Sequence, residues 1–120
     1  MKRVKILIVD DEENIRFALK RWFEFHGYDV DVADDGDVAV EKCRANAYDV
    51  VTLDIEMPRM DGRTALEGIR RYRPHLPVIV LTGYAEELDG AFSGGVSRVL
   101  IKPVSLSVLE HEVRSVINGG

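Results

Sequence analysis

Five polar side chains stand where short apolar segments of the sequence end. They are Asp10, Asp11, Asp54, Thr82 and Lys102. Three carboxylates held close together repel one another and would not all stay ionised unless a cation joined them. Oxygen-only ligands with room for water suggest Mg²⁺, and a lysine adds a point charge suited to a phosphate or a carboxylate. If the fold gathers these residues, they could hold a metal ion and an anion side by side.

The strongest of these signals is the stretch of residues 48–62, which contains Asp54. The run Val50-Val51-Thr52-Leu53 is short and β-branched, which predicts a strand buried on both faces. Beyond Asp54 the sequence changes to proline, aspartate and glycine, which are turn residues. One carboxylate therefore lies where a buried strand ends, and in open α/β sheets ligands bind at the carboxyl ends of strands.

The elements that must position these residues alternate along the chain. The predicted strands cover residues 4–9, 28–33, 50–53, 78–82 and 98–101, and the predicted helices cover 14–26, 35–47, 63–72, a weak 85–92, and a last helix capped by Ser105 or Ser107. Such alternation predicts a doubly wound parallel sheet with helices on both faces. Three strands are apolar throughout and the second alternates, so we expect the flavodoxin-like order 2-1-3-4-5.

The helical periodicity also predicts which side chains face the core. In the first helix we expect Ile15, Ala18, Leu19, Trp22 and Phe23 to face inward and Phe17 to pack against a neighbouring helix. In the second we expect Ala39, Val40, Cys43 and Ala47 to face inward, with Cys43 as a small core residue. Ser107 and Glu110 have the spacing of a capping box for the last helix.

Length and composition restrict the class of protein. The chain has 120 residues, 46% of them hydrophobic, which predicts a single globular domain over residues 1–120, with 119–120 as a tail or the start of a linker. The net charge of −5 argues against a nucleic-acid or anionic-membrane surface. No membrane-span-length apolar run or signal sequence stands out, and one cysteine, Cys43, fits a reducing compartment, so we expect a cytoplasmic location.

Each of the five polar positions has a simpler explanation when it is taken alone. Asp10 and Asp11 are typical of a helix-capping pair, Thr82 is an ordinary strand end, and a lysine before proline usually lies on a surface. The three histidines have no metal-ligand spacing. The hypothesis depends on the conjunction, because the polar groups end four separate strands at the edge where this fold binds ligands.

In combination, four segments resemble the receiver domain of bacterial two-component response regulators. They are ILIVDDE, DVVTLDIEMPRMDG, VIVLTGYA and VLIKPV, which together span essentially the whole chain. The resemblance implies a signalling switch, not a conventional enzyme, that assists its own phosphorylation and dephosphorylation. Asp54 would accept a phosphoryl group from a sensor histidine kinase or a histidine phosphotransfer protein. A carboxylate nucleophile carries no proton to remove, so it needs no general base.

The resemblance also implies a Mg²⁺ site. Asp11 would ligate the ion directly, together with Asp54, and Asp10 would do so directly or through water. The main-chain carbonyl of Glu56 would be a further ligand.

The phosphoryl group itself has an implied set of ligands. The hydroxyl of Thr82 and the amide of Gly83 would bind phosphoryl oxygens, and Lys102 would pair with one of them. Resemblance also predicts a cis peptide bond between Lys102 and Pro103.

Two features depart from the receiver pattern. Val99 stands where receivers usually carry the Tyr or Phe of a rotamer switch, and the segment between Thr82 and Lys102 is shorter than in the family. Both changes fall on the face formed by the fourth helix, fifth strand and fifth helix. Receivers commonly use that face for output, so an output domain, a separate target protein and a homodimer all remain open as partners.

Three other functions compete with the switch. A phosphorelay intermediate or phosphate sink would need no output surface. A flavin-binding electron carrier would need a phosphate loop after the first strand, where Asp10-Asp11-Glu12-Glu13 would repel a phosphate. A phosphatase with an aspartyl nucleophile would need a cap domain, and no segment resembles one.

Overall fold

The computed structural model describes residues 3–57, 62–84 and 96–119. The strands are β1 (Lys5–Val9), β2 (Asp29–Ala33), β3 (Val50–Asp54), β4 (Val78–Thr82) and β5 (Arg98–Ile101), and the helices are α1 (Glu13–Phe25), α2 (Gly36–Ala45), α3 (Gly62–Tyr72) and α4 (Leu106–Ile117). The weak helix predicted over residues 85–92 lies outside the described ranges. Within those ranges, no helix combines the length and apolar character needed to cross a membrane.

The five strands form one parallel sheet in the order β2-β1-β3-β4-β5, as predicted. Strands β3 and β4 are buried along their whole length, whereas β2 and β5 are the partly exposed edges. Asp54 pairs with Leu81, and Thr82 pairs with Ile101. This register brings the ends of β3, β4 and β5 out at the same edge of the sheet.

Two apolar clusters cover the two faces of the sheet. One contains Leu7, Val51 and Val80 under α2 and α3, and the other contains Ile8 and Ile79 under α1 and α4. Helices therefore lie on both faces, as predicted. Each fully buried aliphatic side chain of this kind stabilises the fold by roughly 1.5–3 kcal/mol. The Cys43 thiol is free and lies fully buried in the first cluster, which confirms its prediction as a core residue.

The inward stripe predicted for α1 is wrong in its first turns. Leu19 and Phe23 are buried, but Ile15 is 41% exposed and Ala18 is also exposed. Both lie beside an open cavity of about 440 Å³ between α1 and α4, so among the described residues no side chain covers them. Phe17 is 60% exposed rather than packed on another helix, and its ring lies under the guanidinium of Arg21.

Helix ends differ from prediction by one or two residues. Helix α2 ends at Ala45, so Ala47 lies beyond it and is exposed instead of facing the core. The hydroxyl of Ser105 accepts a hydrogen bond from the Val108 N–H at 3.2 Å, so α4 begins at Leu106. The predicted Ser107–Glu110 capping box is therefore wrong. Ser105 already caps the helix, and the Glu110 carboxylate turns toward Tyr28.

Gly62 is required by the close approach of α3 to Ile55, the residue that follows β3. A Cβ atom at Gly62 would lie 2.5 Å from the Cα of Ile55, which is closer than two such atoms can approach. Helix α3 can therefore begin directly against Ile55 only because residue 62 is glycine.

Candidate functional site

Three aspartates from neighbouring strand ends converge at the carboxyl edge of the sheet. We call Asp10, Asp11 and Asp54 the aspartate cluster; one carboxylate oxygen of each lies within 4.8 Å of the others. Asp10 and Asp54 are buried, and Asp11 is half-buried. An all-oxygen donor set of this size suits a hard divalent cation such as Mg²⁺. The structure thus brings together the three carboxylates singled out in the sequence.

The surroundings of Asp10 oppose its ionisation. Burial, and after it the charges of Asp54 and Asp11, raise the pKa of its carboxyl from 3.8 to about 6. The Glu12 N–H donates to Asp10 Oδ1 at 2.9 Å and partly opposes this shift. The nearby guanidinium of Arg16 donates to the main-chain oxygen of Asp10 rather than to its carboxylate. The aspartate cluster is therefore short of positive charge.

Lys102 joins Asp54 to a second carboxylate, that of Glu56. The Lys102 Nζ lies 3.1 Å from Asp54 Oδ1, 3.2 Å from Asp54 Oδ2 and 3.0 Å from Glu56 Oε1. Burial lowers the pKa of the Lys102 ammonium, but the hydrogen bonds and charges of Glu56 and Asp54 outweigh that effect and raise it. The peptide bond between Lys102 and Pro103 is cis, as expected.

Thr82 and Gly83 present two hydrogen-bond donors beside Lys102. We call the Thr82 hydroxyl, the Gly83 N–H and the Lys102 ammonium the donor cradle. The Thr82 hydroxyl and the Gly83 N–H each donate to Glu56 Oε2 at 2.7 Å. Partial burial raises the pKa of the Glu56 carboxyl, but these hydrogen bonds and Lys102 outweigh it and lower that pKa. In this structure all three donors of the cradle contact one carboxylate.

The side chain of Glu56 is the site residue that sequence reasoning missed. It was expected to contribute only its main-chain carbonyl, and that role stays a prediction. The main-chain N–H of Glu56 also donates to Asp54 Oδ1 at 2.9 Å, which helps to orient the phosphoacceptor candidate. The available signal was an acidic residue two positions after Asp54, in the loop that leaves the same edge of the sheet.

Val99 lies on β5, opposite Val80 and away from these charged groups. It is half-buried and packs against the apolar cluster under α2 and α3. The position expected to carry a switch aromatic is therefore filled by a small side chain anchored to the core.

Chemically, one buried carboxylate takes part in a candidate cation site and also contacts a set of anion-binding donors. Asp54 belongs to the aspartate cluster, and both of its carboxylate oxygens accept from the Lys102 ammonium of the donor cradle. Such an arrangement can bring a phosphorylated anion to a carboxylate nucleophile, because positive charge offsets the repulsion between the two anions.

Sequence relatives agree with this chemistry. The family described as the response regulator receiver domain matches residues 6–114. The response regulator MprA of Mycobacterium sp. (strain KMS) is 35% identical over 116 residues, which is 95% of this chain and 50% of MprA. The sensor protein EvgS of Escherichia coli (strain K12) is 38% identical over 111 residues, which is 91% of this chain and 9% of EvgS. The chain thus spans about half the length of MprA and a small part of EvgS.

Solved structures agree as well. A response regulator receiver domain protein (CheY-like) from Methanospirillum hungatei JF-1 matches with a TM-score of 0.92 and 29% identity, over 98% of this chain and 96% of that chain. The response regulator TrrA from Thermotoga maritima, solved in complex with Mg²⁺ and BeF, matches with a TM-score of 0.84 and 34% identity, over 93% of this chain and 97% of that chain. With the same fold and the aspartate cluster in place, this chain belongs to the response regulator receiver domain family of two-component systems, whose members are phosphoacceptor switches.

Proposed function

We propose that this domain is a switch operated by phosphorylation of Asp54, with Mg²⁺ as its cofactor. As a receiver domain it works with a histidine kinase. We infer that the donor is a phosphohistidine on that kinase or on a histidine phosphotransfer protein. The observation that supports the proposal best is the position of the buried Asp54 carboxylate, which lies within 4.8 Å of carboxylate oxygens of Asp10 and Asp11 and 3.1 Å from the Lys102 Nζ.

In the reaction, one oxygen of Asp54 attacks the phosphorus atom of the phosphohistidine. The phosphorus–nitrogen bond breaks, and its electron pair returns to the imidazole ring. The Glu56 N–H holds Asp54 Oδ1, and Lys102 contacts both carboxylate oxygens, so the nucleophile is oriented before the donor arrives. Because the transition state for phosphoryl transfer is loose, positioning and charge stabilisation supply most of the catalysis.

The metal would be held by Asp10, Asp11 and Asp54, with the Glu56 carbonyl as a further ligand. When bound, Mg²⁺ supplies positive charge that screens the approach of one anion to another. Residues of the donor cradle then bind the transferred group: Thr82 and Gly83 donate hydrogen bonds to its oxygens, and Lys102 neutralises part of its charge.

We infer that output does not depend on an aromatic rotamer at position 99. Val99 is β-branched, stiff at χ1 and packed against the core. Phosphorylation would instead act on residues 83–95, most of which lie outside the described ranges. An output domain, a target protein or a second copy of the chain could read that change.

We place the protein in the cytoplasm and take residues 1–120 as one receiver domain, with 119–120 as a tail or the start of a linker.

The test is phosphorylation by acetyl phosphate in the presence of Mg²⁺, followed by intact mass. The wild-type protein should gain the mass of one phosphoryl group, and Asp54→Asn should gain none. Asp29→Asn is a matched control, because Asp29 is an exposed aspartate at the start of β2, on the edge of the sheet away from the site. This variant should be labelled normally. Equal labelling of Asp54→Asn would show that the assignment is wrong.

A further inference from the structure

The side chain of Glu56 lies where the proposed function would place a phosphoryl group. Its Oε2 accepts hydrogen bonds from Thr82 and Gly83, and its Oε1 lies 3.0 Å from the Lys102 Nζ. These are the three donors of the cradle. A carboxylate shares with a phosphoryl group both negative charge and outward-facing oxygens, so it can satisfy the same donors.

We propose that the Glu56 carboxylate is an internal ligand of the donor cradle, which an incoming phosphoryl group must displace before the cradle can bind it. This inference rests on the proposed function and adds a residue that controls access of the anion to Asp54. Glu56 acts through Thr82, Gly83 and Lys102, so it is a positioning residue.

The two ligands exclude each other because the donors are few. Thr82 has one hydroxyl proton and Gly83 has one N–H, and both point at Glu56 Oε2. Space is also limited, since a Cβ atom at Gly83 would already lie 3.3 Å from Glu56 Oε1. Charge acts in the same direction: a phosphoryl group beside Asp54 and Glu56 would place three anionic groups around one ammonium.

Displacement needs no change in the sheet. Glu56 follows β3 in a loop, and its side chain is 29% exposed, so rotation can carry the carboxylate into water. The phosphoryl group carries more negative charge and more acceptor oxygens than the carboxylate it replaces, so it gains more from the same donors. Binding of the anion is therefore an exchange of ligands, and its apparent dissociation constant equals the intrinsic value divided by the fraction of cradles that are open.

One consequence concerns Thr82. Its hydroxyl is already directed into the site before any phosphoryl group is present, because Glu56 holds it there. The side chain that moves on phosphorylation is then Glu56, while Thr82 keeps its direction and changes its acceptor.

The affinity test uses beryllofluoride, a non-reacting phosphoryl analogue, titrated calorimetrically at saturating Mg²⁺. If the cradle is open about one-tenth of the time, Glu56→Ala should bind the analogue about tenfold more tightly than the wild type. Glu56→Gln keeps the hydrogen-bonding shape without the charge and should lie between them. Glu13→Gln removes an exposed negative charge at the start of α1 and should stay within about twofold of the wild type, since Glu13 lies outside the cradle. Unchanged or weaker binding by Glu56→Ala would overturn the proposal.

A second readout needs neither metal nor analogue. In the nuclear magnetic resonance spectrum, the Gly83 amide proton of the wild type should resonate downfield because it donates a short hydrogen bond to a carboxylate. It should move upfield in Glu56→Ala, and it should stay in place in Glu13→Gln. An unmoved Gly83 resonance in Glu56→Ala would contradict the contact on which the proposal depends.

Acetyl phosphate labelling of the same variants separates this inference from the proposed function. Labelled Asp54 with unchanged beryllofluoride affinity in Glu56→Ala would remove the internal ligand and leave the proposed function intact. A folded wild-type protein that takes no label at Asp54 would remove the proposed function and, with it, this inference.

Discussion

Asp10 and Glu56 are both acidic side chains at the carboxyl edge of the sheet, and their surroundings shift their pKa values in opposite directions. Asp10 is buried beside two other carboxylates, and its pKa rises to about 6. Glu56 accepts hydrogen bonds from Thr82, Gly83 and Lys102, and its pKa falls. The three carboxylates of the aspartate cluster therefore have too little positive charge beside them, with the Lys102 ammonium on Asp54 alone, whereas the donor cradle is satisfied within the chain.

The difference separates two kinds of binding at one site. A cation that enters the aspartate cluster relieves repulsion that is present in the folded protein, so its binding adds stabilising contacts. An anion that enters the donor cradle replaces contacts that Glu56 already makes. Only the difference in binding free energy between the anion and the Glu56 carboxylate therefore contributes to the affinity of the anion. The site should therefore bind a metal ion strongly, and it should bind only those anions that interact with the donors more favourably than Glu56 does.

Lys102 belongs to the donor cradle and contacts Asp54 of the aspartate cluster, so its removal should give the largest effect. Because it contacts both oxygens of Asp54, Lys102→Ala should slow phosphorylation by acetyl phosphate by about 10²–10³-fold, the usual cost of losing one charge-stabilising donor. Mg²⁺ affinity, measured by calorimetry, should be unchanged or higher, because a nearby positive charge has gone. Lys102→Arg keeps the charge in a different geometry and should be intermediate in rate. Much weaker Mg²⁺ binding by Lys102→Ala would contradict the division of the site into two parts.

Asp10→Asn should give the next largest effect. It should raise the stability of the metal-free protein and reduce the stabilisation by Mg²⁺. The folded-state pKa of about 6 lies above the ordinary value of 3.8, so the folded protein binds extra protons between these two pH values. The contribution of Asp10 to the free energy of unfolding therefore falls as the pH rises through that window. Above it, metal-free Asp10→Asn should be more stable than the wild type by about 1–3 kcal/mol.

Urea unfolding at pH 5 and pH 7 in a chelator would measure that difference, which should be larger at the higher pH. Saturating Mg²⁺ should stabilise the wild type more than the variant, because stabilisation of the folded state by a ligand increases with the logarithm of its affinity. An equal difference at both pH values would show that the charge of Asp10 is not the cause.

Thr82→Ala should have the smallest effect, confined to the donor cradle. The variant loses the hydroxyl that donates to Glu56, which should lower the free energy of unfolding by about 1 kcal/mol. Mg²⁺ affinity should not change, because Thr82 takes no part in the aspartate cluster. Thr82→Ser keeps the hydroxyl and should match the wild type. If Ser destabilises the protein as much as Ala, the lost methyl group is responsible and the hydrogen bond is not.

Much of the fold and most of the site could be predicted because both depend on strand burial. Strands β3 and β4 are buried throughout and β2 alternates, and that pattern fits one of the common doubly wound strand orders. Asp54 and Thr82 end their strands and Lys102 directly follows β5, so the parallel order was sufficient to bring them together.

The features that could not be predicted depend on which groups each side chain meets in the folded protein. Sequence periodicity does not describe those contacts. Ile15 and Ala18 fall on the apolar stripe of α1 but face an open cavity instead of the core. Glu56 stands in a loop, where three rotatable bonds give its carboxylate many directions. Its partners at residues 82, 83 and 102 are distant in the sequence, so its place in the cradle depends on the assembled sheet.

The strand register also affects which molecules can be phosphorylated. Asp54 pairs with Leu81 and Thr82 with Ile101, so the acceptor and its cradle face each other only in this alignment. A slip of β4 by one residue would turn Thr82 to the other face of the sheet. A nascent, misaligned or locally unfolded chain therefore lacks the cradle, and it cannot be charged efficiently by a donor. We therefore expect the phosphorylated molecules to be the correctly folded ones, so that the phosphorylation reaction also selects for the native fold.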